Sequence, residues 1–144
     1  MIRRRYGLIG YILKSLPLLT MVLFGSVVSL AQADPGYPYD GMVVVKSEKS
    51  FNELADDLKT SIKDNKMGLV TRASASGGAA NAGITIPGNL VVGVYRNDFA
   101  RRMLSASIPA GIEAPIRFYV TENEDGTAML SYKMPSSVFA PYIP

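Results

Sequence analysis

The chain has 144 residues, with fifteen Lys and Arg, twelve Asp and Glu, and neither cysteine nor histidine. The lack of these two residue types excludes thiol nucleophiles, Ser-His-Asp triads and the usual zinc and haem ligands. The methionines beyond residue 33 are scattered without Met-x-Met spacing, which favours packing roles over a Cu(I) site. We therefore predict no metal and no cofactor.

The first 33 residues have the pattern of a signal peptide. Arg3-Arg4-Arg5 lies at the start, an apolar run of fifteen residues extends from Leu16 to Leu30, and Ala31-Gln32-Ala33 follows it. This is the basic, apolar and small-residue order of an export signal, and the run is shorter than the about 20 residues that a spanning helix needs. We predict a periplasmic or secreted protein, cleaved near Ala33.

Retention of residues 1–33 as an inner-membrane anchor is the alternative, because residues 6–13 are also apolar and only Lys14 interrupts the segment. Cleavage removes four basic residues and leaves eleven basic against twelve acidic ones, a net charge of −1. No basic excess then remains to favour nucleic acid or an anionic membrane. We predict no nucleic-acid partner, and membrane contact only through a retained anchor.

Beyond the signal, the chain divides into a linker and one domain. Residues 34–41 are rich in proline, glycine and tyrosine, a composition typical of extended backbone. Residues 42–144 have the length of a single ordinary domain. Without disulfides, that domain must be stabilised by its core alone.

The first half of the domain contains the clearest helix pattern. Ser50 and Glu53 match a capping box, and Gly68 is predicted to close the helix. Apolar residues three and four positions apart give the helix one buried face, and short apolar runs around it predict three strands, the third of them central in the sheet. The buried face comprises Phe51, Leu54, Leu58 and Ile62, and the strands comprise residues 42–46, 69–73 and 89–95.

The second half contains a shorter helix and a hairpin. Asn97 or Asp98 is predicted to cap a helix that ends near Ala106, followed by a loop over residues 109–115. The Asp125-Gly126 pair predicts a hairpin turn. Its strands are residues 116–120 and 127–132, and the tail from residue 136 has room for a short helix.

This order predicts an α+β fold, a β-α-β-β-α-β-β layer with the helices on one face of a mostly antiparallel sheet. The other face then needs solvent or a partner, and a homodimer contact is one solution. The residues that we expect on that face are Arg72, Tyr95, Arg117, Tyr119 and Tyr132.

From Ser50 to Tyr132 the chain resembles the bacterial and archaeal family called domain of unknown function 302. The matching features include Gly77-Gly78-Ala79-Ala80, the Ala-Gly-Ile-x-x-Pro loop at residues 110–115, and Ser131-Tyr132 at a strand end. The resemblance implies a compact domain that pairs into homodimers, and it carries no established activity. Where members often have an Asp-His pair, this chain has residues Ser74-Ala75-Ser76.

The Gly77-Gly78 pair does not match a phosphate-binding loop. The Lys-Ser/Thr of a P-loop is missing, and no G-x-G-x-x-G sequence follows a strand. We predict instead that another part of the backbone approaches closely at this point.

Four polar residues at strand ends form the predicted ligand site: Arg72, Arg96, Asn97 and Tyr132. In a layered α+β domain they can converge on an anion near the N-terminus of the second helix, where free N–H groups add attraction. The alternative is that they form caps and salt bridges at a dimer seam.

These features favour an exported homodimeric accessory domain that recognises a small anionic or apolar molecule, or an envelope partner, without covalent chemistry. An alternative is an enzyme that uses Arg, Tyr and carboxylates for acid-base work. That hypothesis predicts a deep pocket in which Arg96 or Tyr132 faces an acid with a perturbed pKa. A third hypothesis is a purely structural dimer without a pocket.

Overall fold

The computed structural model describes residues 40–142. The predicted signal peptide and all but the last two residues of the predicted linker lie outside this range. Within it, no helix is long and apolar enough to cross a membrane.

A five-stranded sheet in the order β1-β5-β4-β3-β2 forms the centre of the fold, and each neighbouring pair of strands is antiparallel. β3 is paired on both sides, as its apolar sequence predicts, although β4 is the middle strand. The strands are β1 Met42–Ser47, β2 Gly68–Ala73, β3 Asn89–Tyr95, β4 Ile116–Glu122 and β5 Ala128–Lys133.

Helical segments occupy most of the connections between the strands. The fold class is α+β, as predicted, and the C-terminal tail does form a short helix. The predicted loop at 109–115 is wrong, because a 3₁₀ helix covers most of it. The segments are α1 Phe51–Asp64, α2 Ala75–Asn81, α3 Asn97–Ala106, a 3₁₀ helix Ile108–Glu113, α4 Pro135–Phe139 and a 3₁₀ turn Ala140–Tyr142.

The start of α1 confirms the predicted capping box. The Ser50 hydroxyl accepts a hydrogen bond from the Glu53 N–H at 3.4 Å, and the Glu53 carboxylate accepts one from the Ser50 N–H at 2.9 Å. The helix ends earlier than predicted. Asn65 is its C-cap, Lys66 adopts a left-handed backbone with φ 57°, and Gly68 already begins β2.

The predicted cap of α3 is wrong. Arg96 is the N-cap residue and makes no side-chain capping bond. The Asp98 carboxylate instead accepts hydrogen bonds from the Arg96 guanidinium at 2.7 and 2.9 Å. The prediction failed because this ion pair satisfies a carboxylate more strongly than one neutral N–H does.

The close backbone approach predicted at Gly77-Gly78 is also wrong. Both residues lie in α2; a Cβ at Gly77 would meet only the Ser74 side chain, at 3.3 Å, and one at Gly78 would have no neighbour within 4 Å. The close approaches lie at other glycines. A Cβ at Gly88 would come within 2.6 Å of the Phe51 ring, and one at Gly93 would overlap the Thr71 hydroxyl.

α1 packs on one face of the sheet, which we call the helix face. Residues directly opposite each other across antiparallel strands share a face, so the register assigns each paired strand residue to one face of the sheet. The core joins α1 to this face through Leu58, Ile62, Leu90, Val92, Val94 and Val120. We call the other face the open face.

Two of the five residues predicted on the open face lie on the helix face instead. Tyr132 is opposite Phe118, and Arg72 is opposite Val92, whose side chain is in the core. Tyr95, Arg117 and Tyr119 do lie on the open face, as the register gives.

Candidate functional site

A cavity of about 410 Å³ lies between α1 and the helix face. We call it the α1 groove. It is lined by Leu54, Asp57, Leu58, Ser61, Ile62 and Asn65 of α1, by Met67, by Val94, Ile116, Phe118, Leu130 and Tyr132 of the sheet, and by Pro135.

The apolar wall and floor of the groove follow from the hydrophobic periodicity of α1 and of the strands. Leu54, Leu58 and Ile62 recur every fourth residue, so they share one side of α1. Phe118 and Leu130 stand on the helix face of adjacent strands. The three α1 residues were predicted from the sequence to lie on the buried face of the helix, and they also bound an accessible space.

The rim of the groove carries a few polar groups. Asp57, Ser61 and Asn65 follow one line along α1 at intervals of four residues. The Asp57 carboxylate pairs with the Lys49 ammonium, and the Asn65 amide donates to the Ser61 carbonyl at 2.8 Å. These two side chains are therefore already engaged.

Tyr132 is the predicted site residue that this groove contains. Its ring lies 5.3 Å from the Phe118 ring, centre to centre, at an angle of 58°. Within residues 40–142, its hydroxyl has no hydrogen-bond partner. A partly buried hydroxyl beside an apolar surface is a suitable group to orient a ligand.

The other predicted site residues do not join Tyr132. Arg72 lines a separate cavity of about 380 Å³ with Asp56 and Lys59. Arg96 lines a third, smaller cavity of about 80 Å³ beside α3, and Asn97 is the exposed first residue of that helix. The predicted convergence of all four residues on one anion is not present.

Arg96 is engaged in a surface ion pair. Its hydrogen bonds to Asp98 raise the pKa of the guanidinium and lower that of the carboxyl, so both groups are charged at neutral pH. The guanidinium also stacks 3.6 Å from the centre of the Phe99 ring. The side chains are 31% and 49% exposed, so the pair has the character of a surface contact and not of a buried acid-base site.

Comparison with solved structures supports the fold. A crystal structure of an uncharacterized conserved DUF302 protein from Bacillus stearothermophilus is similar to the chain, with a TM-score of 0.63. The two sequences are 18% identical, and the match covers 72% of this chain and 80% of the other. At this identity the likeness shows the fold alone.

Comparison with sequences identifies the family. No curated protein matches the chain. The sequence pattern of DUF302, described as a domain of unknown function, matches residues 43–142. That range includes all five strands except the first residue of β1, and it extends to the last described residue. The chain therefore belongs to the DUF302 family, as its Ala-Gly-Ile-x-x-Pro loop and Ser-Tyr strand end indicated.

Proposed function

We propose that this protein is an exported homodimeric binding domain that holds a small apolar molecule in the α1 groove and performs no covalent chemistry on it. The observation that carries this proposal is the groove itself. Its volume of about 410 Å³ lies within the range of small-molecule sites, about 300–1,000 Å³.

The lining of the groove selects an uncharged ligand. It contains no Lys or Arg, and its one ionisable acid, Asp57, is paired at the rim. An anion placed there would lose hydration without gaining a cation. The Tyr132 hydroxyl offers one hydrogen bond, so the favoured ligand is an apolar ring or chain with a single hydroxyl or carbonyl group.

A fluorescent probe tests the groove. Neutral N-phenyl-1-naphthylamine is expected to bind saturably and to raise the unfolding temperature, because a ligand that binds only the native state stabilises it. Ser61→Phe places a ring at the groove rim and is expected to weaken probe binding at least tenfold. Thr60→Phe introduces the same ring one residue away and outside the lining, and is the matched control. Unchanged probe binding by Ser61→Phe would refute the proposal.

The export part of the proposal is supported by the sequence of residues 1–33. Expression of the full chain in a Gram-negative host, followed by cell fractionation, tests it, and the protein is expected in the periplasm. Its N-terminal residue is expected to be Asp34. A protein that keeps Met1 and sediments with the inner membrane would support the anchor alternative.

The homodimer part is best supported by an exposed apolar pair on the 3₁₀ helix Ile108–Glu113. Ile108 is 78% exposed and Ile112 is 80% exposed. Side chains of this kind mark contact surfaces and can pair with themselves across a two-fold axis. Self-pairing of the open face is less favourable, because its strand residues include cations such as Lys46 and Arg117 and no Asp or Glu that could pair with them across a two-fold axis.

Light scattering tests this contact. The exported protein is expected to have twice the mass of one chain, and the double change Ile108→Ser and Ile112→Ser is expected to halve that mass. Ile84→Ser replaces an isoleucine that is 57% exposed elsewhere and is the control. A dimer that survives the double change must use another surface.

A further inference from the structure

A separate cavity of about 380 Å³ lies on the helix face beside β2. Lys59 lines it, whereas the preceding residue, Leu58, lines the α1 groove, so the two spaces lie on different sides of α1. We call this space the edge cavity, and the proposed function does not use it. Its lining includes Asp56 and Lys59 of α1, Leu69 and Arg72 of β2, and Leu90 and Val92 of β3.

The strand beside this cavity has an uncovered edge. β2 is the last strand of the sheet, and within residues 40–142 no strand pairs with its outer edge. All six of its residues are exposed, and the apolar side chains of Leu69 and Val70 are 40% and 52% exposed. β2 contains neither Lys nor Pro, which protect many edge strands, whereas β1 at the other edge contains Lys46. β2 is therefore the edge more open to an added strand.

The hydrogen-bond pattern of the sheet identifies a residue of β2 whose backbone points outward. The Glu122 N–H donates to the Gly88 carbonyl at 2.8 Å, so the backbone groups of Val92, four residues further on, also face β4. Arg72 lies opposite Val92 on the other side of β3, so its N–H and carbonyl groups point away from β3. Within the described part of the chain, no group hydrogen-bonds to them. They are available to a sixth strand.

A bulge brings two side chains of β2 to the edge cavity. The register shifts between Leu69 and Thr71, so Leu69 and Arg72 share the helix face although they are three positions apart. Both side chains line the cavity, and two further lining residues, Leu90 and Val92, are core residues that are each only 3% exposed. A helix-face side chain of an added strand would therefore meet an apolar surface here.

The charged residues of the edge cavity are mostly cationic. Arg72 and Lys59 provide two cations against one carboxylate, that of Asp56. Among the described residues, none of these three side chains has an ion pair or a hydrogen-bond partner. An acidic side chain of an added strand can pair with Arg72, while the side chain two positions away, on the same face, contacts Leu69.

We propose that the outer edge of β2 binds an extended segment of a partner protein as a sixth strand, with an acidic side chain of that segment at Arg72 and an apolar one in the edge cavity. In this mode of recognition, backbone hydrogen bonds to the edge give affinity, and pockets for alternate side chains give specificity. A second copy of this chain suits the edge less well, because self-pairing would bring two copies of Arg72 and Lys59 together.

Nuclear magnetic resonance titration of the full exported protein with a blocked heptapeptide, Thr-Leu-Thr-Glu-Thr-Leu-Thr, tests the proposal. Its Leu and Glu side chains lie on one face when the peptide is extended. We expect saturable binding, the largest amide shifts in β2, and slower hydrogen exchange of the Arg72 amide. The same peptide with Lys in place of Glu is expected to bind at least fivefold more weakly.

Two changes at Arg72 separate the backbone from the charge. Arg72→Pro removes the outward N–H and the charge and is expected to weaken peptide binding at least tenfold, without breaking a bond of the sheet. Arg72→Gln keeps the N–H and is expected to weaken binding only two- to fivefold. Arg101→Gln removes an exposed cation of α3 outside the cavity, and this control is expected to change the affinity less than twofold.

The proposal is overturned if the peptide does not bind, if the amide shifts lie in β1 or around the α1 groove, or if Arg72→Pro binds the peptide as tightly as the unchanged protein. Equal binding of the Glu and Lys peptides would overturn the preference for an acidic segment. If Arg72→Pro halves the mass of the dimer, the edge is a contact between copies and the proposal fails. Should Arg72→Pro not fold, the two peptides and Arg72→Gln decide the same question.

Discussion

The α1 groove and the edge cavity flank the same helix and have similar volumes, about 410 and 380 Å³, but their chemistry differs. The groove is lined by no Lys or Arg, whereas Arg72 and Lys59 line the edge cavity. On α1 the residues that distinguish them are adjacent in sequence, since Leu58 lines the groove and Lys59 the edge cavity. Because successive residues of a helix are rotated by about 100°, one helix can border an apolar site and a cationic site.

The largest expected effect concerns the helix face. Leu58→Ala removes a buried side chain, 7% exposed, that joins α1 to the sheet, and it is expected to cost about 2–5 kcal/mol of unfolding free energy. Val91→Ala, on the open face, is expected to cost less, because Val91 is half-buried and lies outside the core cluster. Urea titrations measure both. Equal losses would mean that the open face is packed as tightly as the helix face.

A matched pair of tyrosines sharpens the comparison of ligands. Tyr132→Phe is expected to weaken binding of 1-naphthol, but not of naphthalene, by about 0.5–1.5 kcal/mol, roughly two- to twelvefold, because one hydrogen bond is lost. Tyr119→Phe makes the same change on the open face and is expected to leave both affinities unaffected. Fluorescence titrations measure these affinities. An equal loss of naphthalene and 1-naphthol binding in Tyr132→Phe would contradict a hydrogen bond to the ligand, because naphthalene has no polar group and the variant keeps the ring.

The capping box gives a pH-dependent prediction. Hydrogen bonds from Ser50 lower the pKa of Glu53, so the unfolded chain binds the proton more tightly. The resulting stability is present above the ordinary glutamate pKa of about 4.3 and is lost as the pH falls below it. Ser50→Ala is expected to cost about 1 kcal/mol at pH 7.

This cost should shrink as the pH falls through the lowered pKa of Glu53, because the protonated carboxyl group is a weaker acceptor for the Ser50 hydrogen bonds. Urea titrations at pH 7 and pH 3 measure it. A Ser50→Ala cost that is equal at the two pH values would show that the Glu53 carboxylate contributes nothing to the cap.

The smallest expected effect is at a predicted site residue. Arg96 lines neither the α1 groove nor the edge cavity, and its charge is already paired with Asp98 at the surface. Arg96→Gln is therefore expected to leave probe and peptide affinities unchanged and to lower the unfolding temperature slightly, less so at high salt. A large loss of affinity for either ligand in Arg96→Gln would show that Arg96 contributes to binding.

The fold was largely predictable because local patterns agreed with one another. The Ser50–Glu53 capping box, the regular spacing of Leu54, Leu58 and Ile62, and the Asp125-Gly126 turn each correspond to an observed element. The N-cap of α3 was not predictable in this way, because an ion pair between residues two positions apart competed with the capping bond.

The candidate sites were harder to predict, because they depend on which side chains share a face. The face of Tyr132 could have been predicted from the sequence. Tyr132 is two residues after Leu130, so the alternation of side chains along a strand assigns both residues to the helix face. The face of Arg72 could not be predicted by the same alternation. The register of β2 shifts between Leu69 and Thr71, and this irregularity changes which residues point towards the helix. The groove itself depends on packing between separate elements, which periodicity does not encode.

A crossed titration tests the central claim, that the two sides of α1 are independent sites of different chemistry. The unchanged protein, Ser61→Phe and Arg72→Pro are each titrated with N-phenyl-1-naphthylamine and with the Glu heptapeptide. We predict that Ser61→Phe loses the apolar probe and keeps the peptide, and that Arg72→Pro loses the peptide and keeps the probe. If either variant loses both ligands, or if each loses the other's ligand, the two-site account is contradicted.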